Sequence, residues 1–131
     1  MERLKERLVL AQKALSTLNE VITIQTPSAI ERDATIQRFE YSFEAVWRAV
    51  KRHLNIVEGI DVSSSKAVIR ASLEVGLLDE ATCRQALAMV DDRNLTSHTY
   101  NEKLADEILE RIPLHAQVMN KWVAAIGKVD L

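Results

Sequence analysis

The unbroken apolar stripe that follows Ser28 constrains this chain more than any other feature. Ile36, Phe39, Phe43, Val46, Trp47, Val50, Leu54 and Val57 recur at spacings of three and four, which places them on one face of a single long helix. Gly59 is a suitable residue to end it. Its start can be read two ways, as Thr26 with Pro27 at the first helical position or as Ser28 with Glu31 three residues later. A helix this long with one apolar face needs partner helices, so it is expected to be the central element of a bundle.

The flanking sequence supplies those partners. Leu4, Leu8, Ala11, Leu15, Leu18 and Ile22 form a comparable stripe on a first helix. After Gly59, Ser63-Ser64-Ser65 can cap a shorter helix through Val68, Ile69, Leu73 and Leu77, with Gly76 near its end. Asp79 can cap a fourth helix carrying Cys83, Leu87 and Val90. Asn101 opens the last, whose stripe of Leu104, Ile108, Ile112, His115, Met119, Trp122 and Ile126 keeps its phase across Pro113. That phase predicts one kinked continuous helix rather than two, against a cost of roughly 3 kcal/mol for an interior proline.

With three glycines and two prolines in 131 residues there is little turn chemistry for hairpins, so an all-α fold in one domain over residues 1–131 is expected. The formal net charge of −2 excludes a globally basic nucleic-acid binder and requires any RNA contact to be local. Cys83 stands alone, which removes an internal disulfide, and it reads as packing. The three histidines show no metal-ligand spacing, and no cofactor motif is present. Met1 to Arg7 mixes acidic and basic charge, and no apolar run reaches the length of a membrane span, so a cytoplasmic protein is expected.

Chemistry concentrates in Arg93-Asn94-Leu95-Thr96-Ser97-His98-Thr99-Tyr100. R-x4-H occurs twice in the chain, and Arg48 with His53 provides an internal control. On one helix, five positions turn two side chains about 140° apart, so those two cannot meet and are expected at the surface or its boundary. Between Arg93 and His98 lie Asn, Thr and Ser, which compete with the helical backbone for hydrogen bonds and place this stretch at a helix–loop junction. There both side chains can turn to one groove. A structural reading stands beside this one, in which Arg93 interacts with the helix end and with Asp91 or Asp92 while His98 caps the junction. Arg38 and Glu40, near the middle of a largely apolar helix face, read on their own as a solvated or ion-paired face. Phe39, Tyr41, Phe43 and Trp47 are expected as core or subunit contacts rather than base-stacking groups.

The R-x4-H-x-Y pattern resembles the signature of the HEPN family. The likeness extends to Gln37-Arg38-Phe39-Glu40-Tyr41-Ser42-Phe43-Glu44 with Trp47, the Gly59 turn, Ser65-Lys66, Gly76-Leu77-Leu78, Asp92-Arg93-Asn94 and Ser97-His98-Thr99-Tyr100-Asn101. Together these look like the branch of HepT-like toxins and nucleotidyltransferase substrate-binding subunits. The resemblance implies an antiparallel, up-and-down four-helix-type bundle with an extra short helix, forming a homodimer with Arg93 and His98 of both copies at a cleft, to which Arg38, Glu40 and Asn94 are expected to contribute as lining or substrate-binding residues. It further implies a minimal nucleotidyltransferase as partner, metal-independent cleavage of RNA, and silencing by AMP transfer to the motif tyrosine, here Tyr100.

The residue types fit that chemistry. Cleavage of RNA by its own 2′-hydroxyl needs a base and an acid, for which imidazole is suited, and His98 fits. Charge that builds on the non-bridging oxygens calls for a forked guanidinium, and Arg93 fits, with Asn94 able to position either. The competing function is a non-catalytic subunit that holds a nucleotide or other substrate in the same cleft. The acidic net charge favours binding, and the intact histidine favours catalysis.

Overall fold

The computed structural model describes residues 2–128 and consists of five α-helices and one short 3₁₀ turn. The order is α1 (Glu2–Val21), α2 (Ala29–Glu58), α3 (Ser65–Glu74), α4 (Glu80–Leu95), the 3₁₀ turn Thr96–His98, and α5 (Glu102–Gly127). No strand occurs among the described residues. The fold is the all-helical, four-helix-type bundle that the resemblance implied, with α3 as the extra short element.

Helix α2 is the hub, packing against α1, α5 and α3. Its start is decided in favour of Ser28, whose hydroxyl accepts from the Glu31 amide (3.1 Å) while Glu31 Oε1 accepts from the Ser28 amide (2.8 Å). Both orphan donors of the first turn are thereby satisfied. At the other end Gly59 adopts φ +67°, and the Ile60 amide donates to the Leu54 carbonyl at 3.0 Å. This left-handed closure is costly for any residue with a Cβ.

One apolar cluster draws on all five helices, among them Leu15 and Leu18 of α1, Phe39, Phe43 and Leu54 of α2, Ile69 of α3, Met89 of α4, and Ile108, Met119 and Trp122 of α5. Trp122 Nε1 donates to Ser72 Oγ (3.0 Å), which donates in turn to the Val68 carbonyl (2.8 Å). That relay joins α3 to α5 without leaving the indole N–H unmatched. Helix α5 continues through Pro113, as its unbroken phase predicted.

Two expectations about the elements require correction, the extent of α3 and the place of His53. Helix α3 stops at Glu74, before Leu77, and Gly76 turns the chain just beyond it with φ +81°. Helix α4 runs to Leu95 and the 3₁₀ turn follows at Thr96, so the stretch from Arg93 to Tyr100 straddles the helix–loop junction as expected, with Arg93 in the last helical turn. His53 is buried, with 1% of its surface exposed, rather than at the surface or boundary. Val46, Val50 and His53 are spaced by four and three, so the imidazole continues the buried stripe in place of an aliphatic residue. Arg48 of the same pair lies at the surface, its side chain 55% exposed, as expected. Tyr41 is also exposed, its hydroxyl hydrogen-bonded with that of Thr17 on α1.

Candidate functional site

The site grows from the C-terminal turn of α4, which is tied down from beneath. Asp92, 6% exposed, accepts from Arg111 Nε (2.7 Å) and from another guanidinium nitrogen of the same arginine (2.8 Å), and also from His115 Nε2 (2.6 Å). Phe39 of α2 stacks on the His115 ring with centroids 5.4 Å apart. Burial would raise the Asp92 pKa, but the hydrogen bonds and charges of Arg111 and His115 overcome it, so the carboxylate is held below its ordinary value. Burial pushes His115 down despite Asp92, leaving a neutral ring that donates from Nε2. Sequence reasoning placed His115 only on an apolar stripe and missed this anchor. Its signal was a polar residue on α5 facing an acid one position before the motif arginine.

With Asp92 turned inward, Arg93 points the other way, to α2. One of its terminal guanidinium nitrogens lies 3.3 Å from Glu40 Oε2 and 2.9 Å from Thr96 Oγ1, and its Nε is 3.6 Å from Glu44 Oε1. Thr96 Oγ1 completes the triangle, 3.1 Å from Glu40 Oε2 and 2.6 Å from the Arg93 carbonyl. Thr96 is buried, so this hydroxyl is a fixed part of the setting. The structural alternative that paired Arg93 with Asp91 or Asp92 is not what the fold adopts, since Asp91 pairs with Lys66 (3.0 Å) and Asp92 with Arg111. Glu40 is ion-paired and half-buried beside the motif.

The 3₁₀ turn then presents His98 and Tyr100 outward. Local bonds build it: Ser97 Oγ donates to the Asn94 carbonyl (3.1 Å), Thr99 Oγ1 to the Thr96 carbonyl (2.9 Å) and the Asn101 amide to the His98 carbonyl (3.1 Å). Asn101 caps α5 by accepting from the Leu104 amide (3.2 Å), so the turn is held at both ends. His98 is exposed, and its ring meets Tyr100 edge-on at 6.0 Å. Tyr100 is 83% exposed and Asn94 is exposed. The fold therefore gathers Arg93, Asn94, His98, Tyr100 and Glu40 around one end of α4. Arg38 is not brought to this group; its guanidinium donates to the Thr17 carbonyl (2.8 Å) and pairs with Glu20 on α1 (3.6 Å).

A family model described as nucleotidyltransferase substrate binding protein like matches residues 6–127. The chain belongs to this family. A Haemophilus influenzae protein named probable ribonuclease HepT is 31% identical over 81 residues, a stretch covering 59% of this chain and about half (54%) of that protein. The family match and this relative agree with the HepT-like resemblance that the motif suggested. A crystal structure of a Thermus thermophilus protein is 51% identical, with a TM-score of 0.86 over 88% of this chain and 98% of its own. Two further structures share the fold. One, from Haemophilus influenzae, was described as revealing the fold of a substrate binding domain of a nucleotidyltransferase (TM-score 0.74, 20% identity, 92% and 99% coverage). The other is a toxin-antitoxin with AMP-PNP (TM-score 0.69, 14% identity, 94% and 96% coverage). Among the described residues of this family member, no helix is long and apolar enough to cross a membrane.

Proposed function

We propose that this protein is a toxin-type partner subunit of a minimal nucleotidyltransferase, cutting RNA in the cytoplasm without a metal ion. The observation that carries the reading is an exposed imidazole and an exposed phenol on one short turn, beside an arginine already oriented by two carboxylates and a hydroxyl. In the homodimer that belongs to this reading, the turns of two copies face one cleft and bring two His98 side chains to the scissile phosphate. One imidazole takes the 2′-hydroxyl proton as the 2′-oxygen bonds to phosphorus. The other, entering protonated, gives its proton to the 5′-oxygen as the P–O5′ bond breaks. The products are a 2′,3′-cyclic phosphate and a 5′-hydroxyl.

Arg93 meets the negative charge that develops on the non-bridging oxygens, and its hold on Glu40, Glu44 and Thr96 means the guanidinium need not be ordered anew during the reaction. Asn94, exposed one position further on, is available to the same phosphate or its sugar. Arg38 takes no part, being committed to α1. Tyr100 is the point of control. Its oxygen attacks the α-phosphorus of a nucleoside triphosphate held by the partner, pyrophosphate leaves, and the phenolic proton passes to solvent. The attached AMP fills the cleft with bulk and negative charge, which excludes RNA.

The formal net charge of −2 favours a second reading, a non-catalytic subunit that holds a nucleotide or other substrate for the nucleotidyltransferase in the same cleft. Cleavage of labelled RNA in EDTA by wild type and by folded His98→Ala separates the two. Cleavage by wild type alone, leaving 2′,3′-cyclic phosphate ends, is the expected result. An unmodified wild type that cuts nothing would leave the binding subunit as the better account.

A further inference from the structure

A cavity of about 230 Å³ opens between α1, α2 and the α2–α3 connection, lined by Arg7, Arg48, Lys51, Arg52, Asn55 and Asp61, with Ile60 and Val62. Four cations facing one carboxylate is a strong local bias in a chain whose net charge is −2. Among the described residues, neither Arg7, Lys51 nor Arg52 has a carboxylate within ion-pair distance, and the buried Nε of Arg52 has no hydrogen-bond partner. A buried N–H without an acceptor is costly, and an incoming anion that draws in the guanidinium fork relieves that cost.

The cavity shares a helix face with the candidate site. Glu40, Glu44, Arg48, Lys51 and Asn55 succeed one another on α2 at spacings of four and three, so they form one stripe beside the buried one. Glu44 links the two regions directly, lying 3.6 Å from Arg93 Nε and 3.5 Å from Arg48 Nε. Arg48 is held over the Trp47 ring at 5.1 Å, and Trp47 Nε1 donates to the same Glu44 (3.2 Å). Seven positions from Glu44 to Lys51, at about 1.5 Å each, separate the residue that touches Arg93 from a residue lining the cavity by roughly 10 Å of helical rise.

We propose that this cavity binds a backbone phosphate of the RNA strand that lies across Arg93 and His98, so that the stripe on α2 is a track for the strand flanking the cut. The inference rests on the endoribonuclease reading of the same site and names how its substrate is held. Size favours a strand over a free nucleotide, because sites that enclose a drug-sized molecule run to about 300–1,000 Å³. A smaller, open cavity suits one phosphate on a chain that continues outside it.

The test compares His98→Ala protein with the same protein carrying Lys51→Gln and Arg52→Gln, and separately with Arg7→Gln, which alters only an exposed α1 side chain. Binding of a labelled single-stranded dodecanucleotide is measured in EDTA over a salt series. Loss of the charged contacts should raise Kd about tenfold. The slope of log K against log salt should shrink by about 0.7 for each phosphate released. With His98 intact, Lys51→Gln with Arg52→Gln should raise KM for the long strand, leave kcat in place, and leave cleavage of a dinucleotide unchanged. Unchanged affinity and salt slope in both variants would overturn the track, whatever His98 does. Weakened RNA binding in the variants, with a wild type that cuts nothing, would keep the track and remove the nuclease reading. AMP binding lost in the variants while RNA binding is kept would make the cavity a free-nucleotide site and also overturn the track.

Discussion

Asp92→Ala should cost this protein more stability than any surface ion pair could, and the size of the loss follows from what the carboxylate leaves behind. Arg111 loses both hydrogen bonds, but its side chain is 45% exposed and water replaces them, so this part amounts to about 1 kcal/mol or less. His115 is only 3% exposed and would hold its Nε2 proton with no acceptor, a penalty of about 1–3 kcal/mol. The sum is about 1–4 kcal/mol, a large part of the roughly 5–15 kcal/mol that holds a typical domain folded. At an m-value of about 2 kcal/mol/M, the urea midpoint should fall by roughly 0.5–2 M. The assay is equilibrium unfolding followed by helical circular dichroism at one fixed protein concentration, with Arg111→Ala beside it. Asp92→Ala within about 0.5 kcal/mol of wild type would refute the argument that the buried imidazole carries the penalty.

Three further outcomes can be measured on the same protein. Burial holds both His53 and His115 below the ordinary histidine value of 6.5, so the unfolded chain takes up protons first on acidification. Their contribution is complete above pH about 6.5 and is lost as pH falls toward the folded values, so Tm should drop from pH 7 to pH 5; a flat Tm profile would contradict this, and His53→Leu should lessen the drop. Ser28→Ala breaks the reciprocal cap of α2 and should destabilise by about 1 kcal/mol in urea unfolding, and Ser28→Gly by only a few tenths. Thr96→Val removes the hydroxyl between Arg93 and Glu40 at nearly constant volume; RNA cleavage should fall about tenfold or more for the loss of one charge-assisted bond, and unchanged cleavage would show that the two carboxylates suffice to place Arg93.

Where local rules and packing agreed, the sequence could be read directly. The α2 stripe, the end at Gly59 and the start of α5 at Asn101 are each set by residues within a few positions of one another, while the start of α2 had two local candidates, of which the fold takes Ser28. What escaped depended on partners distant in sequence. Asn94 and Leu95 remain helical although the composition favours a break, and Asp92, anchored to α5 nineteen and twenty-three positions away, holds that end of α4. Glu40 comes to Arg93 across fifty-three positions, a pairing that no periodicity encodes. Arg38, two residues before Glu40, necessarily faces elsewhere, because two steps along a helix turn a side chain about 200°. His53 was misplaced for a different reason: its polar ring hid a position that the spacing itself assigns to the core.

The length of α2 has a mechanical consequence. Thirty residues at about 1.5 Å each make a rod of about 45 Å, capped at one end by Ser28 and closed at the other by Gly59. Glu40, Glu44, Arg48 and Lys51 are graduations on that rod, so the intervals between their backbone positions are those of helical rise and do not depend on how any loop settles. A strand laid along the stripe would be measured against a ruler already cut to length, and the bond placed beside His98 would be chosen by counting from the far end.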